Sequence, residues 1–164
     1  MDIKEIYLLT AFVCAACDGE IAPEELSLVK KLCDKSDLFE GLNVEDKLNT
    51  YVVSINEHGI QFINEFLRVL GKATLTTQEQ LEIVKIAIEM IEADNQVLYS
   101  EVKFFKKLRQ CLKISDEEIL AELPDKEYYL LPDIKISDYT FDENVHFDNI
   151  NLASILKLDK ASQL

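Results

Sequence analysis

Asp18-Gly19-Glu20-Ile21-Ala22-Pro23-Glu24-Glu25-Leu26-Ser27-Leu28-Val29-Lys30-Lys31-Leu32 is read a second time, 76 positions on, as Asp94-Asn95-Gln96-Val97-Leu98-Tyr99-Ser100-Glu101-Val102-Lys103-Phe104-Phe105-Lys106-Lys107-Leu108. Five of the fifteen aligned positions are identical: Asp18/Asp94, Glu25/Glu101, Lys30/Lys106, Lys31/Lys107 and Leu32/Leu108. Five more pair apolar with apolar, namely Ile21/Val97, Ala22/Leu98, Leu26/Val102, Leu28/Phe104 and Val29/Phe105. In both copies an apolar run leads into an acidic turn, and an amphipathic run with a glutamate in its first turn follows. Gly19 and Asn95 sit where the preceding helix closes, and they are the two residue types that best tolerate left-handed backbone. Pro23 suits a first helical turn, where its missing N–H has no partner to lose. The doubled stretch therefore marks two equivalent helix–turn–helix corners.

The chain on either side has the same helical period. Ile3, Ile6, Tyr7, Thr10, Val13, Cys14 and Cys17 follow one helical face, while Leu8, Leu9, Ala11 and Phe12 fill the others. A helix apolar nearly all round belongs in the middle of a bundle. Residues 81–93 form its repeat partner, begun by the capping box Thr76-x-x-Glu79. The amphipathic helices span 23–35 and 99–112. Asn43 caps a helix reaching about Ile55; Ile60, Ile63, Phe66, Leu67 and Leu70 mark another, closed by Gly71. Ser115-x-x-Glu118 starts a short one that stops before Pro124. The expected fold is all-α: a single bundle of about seven helices with an internal duplication over residues 1–123. Two copies at this spacing are too few and too long for a solenoid. Residues 124–164 read as an extended acidic and aromatic arm. Tyr128-Tyr129-Leu130-Leu131-Pro132 is followed there by Ile134, Ile136, Tyr139, Phe141, Val145 and Phe147 alternating with polar residues, a hairpin is expected near Asp142-Glu143-Asn144, and Asn151 caps a short helix through Leu158.

At 164 residues, with 48% apolar and 29% charged content, the chain is long enough and apolar enough for one domain with a real core. Four glycines, three prolines and no tryptophan leave little turn chemistry for a many-stranded sheet. A net charge of −14 disfavours nucleic acid and anionic membrane surfaces, which need a lysine and arginine face. Cations or basic protein partners fit better. The apolar run from Ile6 to Cys17 is too short to span a bilayer. It superficially matches an export leader, and Ala15-Ala16-Cys17 partly matches a lipoprotein cleavage site. The charged residues before it are net negative, however, and Cys14 stands where a large aliphatic residue is usual. The expected location is the cytoplasm. Cys14-x-x-Cys17 has redox or zinc spacing, but no second pair exists and the only histidines are His58 and His146. The two cysteines read as small buried core residues, and Cys33 and Cys111 as core or edge positions near helix ends.

The acidic turns carry what chemistry the sequence offers. Asp18-Gly19-x-Ile21-x-x-x-Glu25 matches the second half of an EF-hand calcium loop. The first half is missing: its first and third ligand positions fall on Cys14 and Ala16, and in the repeat on Met90 and Glu92. One turn cannot supply the six to eight oxygens that calcium takes. An apolar helix, then Cys17-Asp18-Gly19-x-Ile21, then Pro23-Glu24-Glu25-Leu26, resembles the TerB-like domains of tellurite-resistance proteins. A related domain occurs at the N-terminal side of some membrane-anchored DnaJ-type co-chaperones. The resemblance covers residues 1–122 and leaves the arm unexplained. It implies an all-helical fold with acidic turns gathered on one side and a divalent cation, such as calcium, bound there. By motif position, the ligands it implies are Asp18, Glu25, Asp94 and Glu101. The chain departs from the pattern at Asn95, which replaces glycine, and at Ala22 and Leu98, where a serine-like cap is usual. Each missing cap costs about 1 kcal/mol and shifts capping onto the aspartates.

Two readings of these carboxylates follow. In the first, they bind a divalent cation within a non-enzymatic interaction module associated with stress or tellurite resistance, whose partner is an unidentified protein. In the second, the module is a protein–protein scaffold and the aspartates only cap the corners. Glu25 and Glu101 then favour the exposed N–H groups of a helix N-terminus. No glycine loop cradles a phosphate, and no Ser/Cys–His pattern points to nucleophilic catalysis. Lys30-Lys31 and Lys106-Lys107 read as solvated helix faces.

Overall fold

Every residue from Ile6 to Cys17 is buried, so the first helix, α1 (Ile3–Ala16), keeps no solvent face beyond its first turn. In a computed structural model describing residues 1–17, 23–93 and 99–131, this helix is the axis of an all-α bundle. Around it stand α2 (Pro23–Lys35), α3 (Val44–His58), α4 (Ile60–Lys72), α5 (Thr77–Glu92) and α6 (Tyr99–Gln110). The short α7 (Asp116–Glu122) and 3₁₀ segments at Asp37–Phe39 and Pro124–Leu130 complete the described residues, which contain no strand. α5 is the principal neighbour of α1, and α2, α3, α4 and α6 pack on α1's other sides. Among the described residues no helix is long and apolar enough to cross a membrane.

The one polar residue in the buried run, Thr10, donates its hydroxyl to the Ile6 carbonyl at 2.7 Å, so burial leaves no donor unmet. Phe12, fully buried, joins α1 to α3 and α4 through Tyr51 at 5.6 Å and Phe62 at 5.9 Å between ring centroids. Gln80 fastens the start of α5. Its side chain accepts from the Lys113 and Ile114 backbone N–H groups at 2.7 and 3.0 Å and donates to the Leu75 carbonyl at 3.2 Å. Both expected capping boxes form, at Thr76/Glu79 and at Ser115/Glu118, and Asn43 caps α3.

Two expectations are corrected. Gly71 does not close α4: it lies inside the helix, which runs on to Lys72. The glycine that breaks the chain is Gly59, whose φ of 57° separates α3 from α4. α6 ends at Gln110, close to the expected end near Leu112. The chain from 124 to 130 is not extended but coiled into 3₁₀ turns, with Pro124 at the first helical position, where a missing N–H costs nothing. α7 does stop before Pro124, as expected, and Pro124 then opens the next helical segment. Residues 132–164, with the expected hairpin and the Asn151-capped helix, lie outside the described residues.

Candidate functional site

α2 and α6 bury the same positions of the doubled stretch. Leu26, Val29 and Leu32 are buried in α2, and their counterparts Val102, Phe105 and Leu108 are buried in α6. Ahead of these lies the repeated glutamate, and here the two copies differ. Glu25 is half-buried, whereas Glu101 is only 6% exposed. Glu101, Phe104, Phe105 and Leu108 fall at helical spacing on the buried face of α6, so a carboxylate occupies a core-facing position in the helix's first turn. Asp18 and Asp94 lie outside the described residues. Of the four expected ligands, Glu25 and Glu101 therefore carry the description, on two helices that both pack against α1.

The surroundings of Glu101 bring together groups from four segments. Its charge helps raise the pKa of Cys14, on α1, and of Tyr129, in the 3₁₀ segment Pro124–Leu130. For Cys14 the larger cause is burial, which pushes the thiol far above its ordinary value, so it is a neutral thiol at physiological pH. Tyr129 is raised first by burial and next by its hydrogen bond to Glu92. Glu92, at the end of α5, receives the Lys126 ammonium on both carboxylate oxygens at 2.8 Å and the Tyr129 hydroxyl at 3.1 Å. The ammonium is held protonated chiefly by that hydrogen bond. The Tyr129 ring stands edge-on to Phe105 of α6 at 5.3 Å. The corner between α5 and α6 is thus bound shut by a knot of Glu92, Lys126 and Tyr129, with Glu101 buried beside it.

Sequence reading missed the members of that knot. Glu92 was noticed only as a third-ligand position of the rejected calcium loop, and both its oxygens are engaged by Lys126. Its partners lie 34 and 37 positions away, and a lysine or tyrosine at such a separation has no local signature.

The donor chemistry bears on the implied cation. Glu25 and Glu101 offer carboxylate oxygens, the donors of hard cations such as calcium and magnesium. Cys14, the neighbouring soft donor, is buried on α1. Among the described residues no group of three or more His, Cys, Asp and Glu side chains could hold a metal. Away from the corner, His58 is exposed and lies 3.7 Å from Glu57. All four cysteines are free thiols. Comparison with known protein families, curated proteins and solved structures finds no match to this chain.

Proposed function

We propose that the protein is a non-enzymatic, TerB-like helical interaction module of the cytoplasm, duplicated internally, which holds a hard divalent cation at its acidic corners and engages a protein partner. One observation carries the reading: Glu101, the repeated glutamate, turns into the core-facing position of α6 instead of toward water. A buried carboxylate is stabilised by donors and counter-charge facing it, and a hard cation shared with Asp94 would add counter-charge to the interactions that Glu101 already makes. The common burial pattern of α2 and α6 supports the duplication, and the net charge of −14 supports a cation or basic partner over nucleic acid. Calcium and magnesium titrated calorimetrically into the full chain are expected to give binding heat and to raise the melting temperature. Asp94→Asn combined with Glu101→Gln is expected to remove both effects. No heat and no rise at millimolar ion would sink the cation clause.

The second reading, a scaffold whose acidic corners are structural, draws on the Glu92 knot, in which Lys126 and Tyr129 tie the end of α5 to the 3₁₀ segment Pro124–Leu130. It expects Asp18→Asn with Asp94→Asn to lower the melting temperature in chelator, because each change weakens a cap. Under the cation reading the same pair chiefly abolishes the rise that added ion produces.

A further inference from the structure

Phe62, Phe66 and Val69 stand four and three positions apart on α4, so they form one stripe along it. Two cavities open beside this stripe. The first, of about 350 Å³, has Leu9, Phe62, Phe66 and Val69 for its apolar wall, with Ser54 and His58 of α3 at its edge. The second, of about 510 Å³, lies at the end of α4, where Arg68, Lys72 and Thr74 border it together with Ile3 and Ile6 of α1. Met1 and Val69 line both cavities, so the two meet there. Phe62 and Val69 are only half-buried and Met1 is exposed, which leaves an apolar cleft open to water.

The far end of the cleft offers donors instead. Lys72 is exposed and joins no ion pair among the described residues. Arg68 binds Glu65 through Nε, at 2.9 Å, and through Nη2, which leaves Nη1 unengaged. Glu79, the acid at this end, already accepts the Thr76 N–H at 2.8 Å within its capping box. We propose that the joined cleft binds a single-chain aliphatic carboxylate, its tail along the α4 stripe and its head on Lys72, Arg68 Nη1 and the Thr74 hydroxyl. The steps from Phe62 to Lys72 cover roughly 15 Å, which an extended chain of about twelve carbons matches. Burial of the tail drives binding, while the head stays among exposed side chains and keeps its hydration. A plain hydrocarbon makes no use of the donors, and a small anion leaves the stripe in water. A chain at −14 is repelled by an anionic bilayer, so the ligand arrives as a single molecule.

Calorimetric titration of decanoate and dodecanoate into the full chain tests the cleft, in chelator and below their micelle concentrations. One site per chain is expected, with dodecanoate bound about tenfold more tightly. Lys72→Glu, an exposed change, is expected to weaken decanoate about tenfold while leaving decanol unchanged. Val69→Trp fills the junction of the two cavities and should abolish binding of both. In the unaltered chain, dodecanoate should shift the methyl resonances of Leu9 and Val69 and leave those of Leu28 and Leu108 in place. Absence of heat, equal weakening of acid and alcohol by Lys72→Glu, or several ligands per chain that survive Val69→Trp would each overturn the proposal. So would a concentration-dependent dimer that Val69→Trp disrupts, by assigning the cleft to a second copy.

Discussion

Glu101 and Tyr51 are both polar groups buried in an apolar interior, but they bear on stability in opposite ways. Glu101 stands at a helix N-terminus, where a negative charge is favourable. The Tyr51 hydroxyl is buried with no hydrogen-bond partner among the described residues, and burial, helped by the charge of Glu5, pushes its pKa well up. An unmet buried hydroxyl costs about 1–3 kcal/mol. Tyr51→Phe keeps the ring contacts to Phe12 and Phe62 and deletes only that oxygen. It is expected to raise stability by about 1 kcal/mol in urea unfolding, and a comparable loss would show that the hydroxyl is satisfied in solution. At this scale the candidate site was half legible. Repetition picks out Glu25 and Glu101 because both stand at the same place in a doubled stretch. Nothing local says that one of them turns inward, because a first-turn glutamate reads equally well as a solvated cap. The Glu92–Lys126–Tyr129 knot is a long-range meeting of ordinary surface residue types, and only the folded chain brings them together.

Helices are where sequence and structure agree best, and the reasons are local. The all-round apolar run of α1, the Thr76 and Ser115 capping boxes, the Asn43 cap and the Pro23 start each depend on residues within one or two turns. The helix ends that were misplaced turn on glycine and proline, whose effect depends on where the neighbouring turns go. Gly71 and Gly59 make the contrast measurable. Gly71 is helical, and a Cβ added there meets nothing within 4 Å. Gly71→Ala is expected to stabilise the protein by about 0.5–1 kcal/mol, the ordinary difference between the two residues in a helix. Gly59 holds a φ of 57° and a ψ of −129° while its N–H donates to the Ile55 carbonyl at 2.8 Å. An L side chain is strained in that region, so Gly59→Ala is expected to cost about 1–3 kcal/mol. Thermal unfolding of the two single variants decides the assignment. A loss at Gly71 with none at Gly59 would return the α4 closure to where the sequence first suggested it.

The whole molecule carries 31 acidic residues against 17 basic ones, and its buried tyrosines and cysteines extend that asymmetry into alkaline solution. Tyr7 is pushed up from 10.0 to about 12, by burial first and then by the charges of Glu79 and Glu82. Burial and Asp34 push Cys33 from 9.0 to about 12. Tyr51, Tyr129, Cys14 and Cys111 move in the same direction, burial being the largest cause for each. In every case the folded chain holds its proton more tightly than the unfolded chain does. As pH rises, the unfolded state ionises first and is favoured. The stability tied to these groups is therefore complete below the ordinary values of 9.0 for cysteine and 10.0 for tyrosine, and it is lost as pH climbs toward about 12. The new negative charges also add to a chain that is already at −14, which increases its self-repulsion. Unfolding free energies measured at a series of pH values should be flat from neutrality to pH 9 and then fall continuously. Tyr7→Phe removes one ionisation that favours the unfolded chain, so its curve should fall less steeply between pH 10 and 12. The tyrosinate absorbance assigned to Tyr7, read as the difference between the unaltered chain and Tyr7→Phe, should appear together with unfolding rather than before it, because that buried phenol gives up its proton only when the bundle opens. Growth of this difference signal while the helical signal is intact would mean that water reaches the Tyr7 ring in the native state.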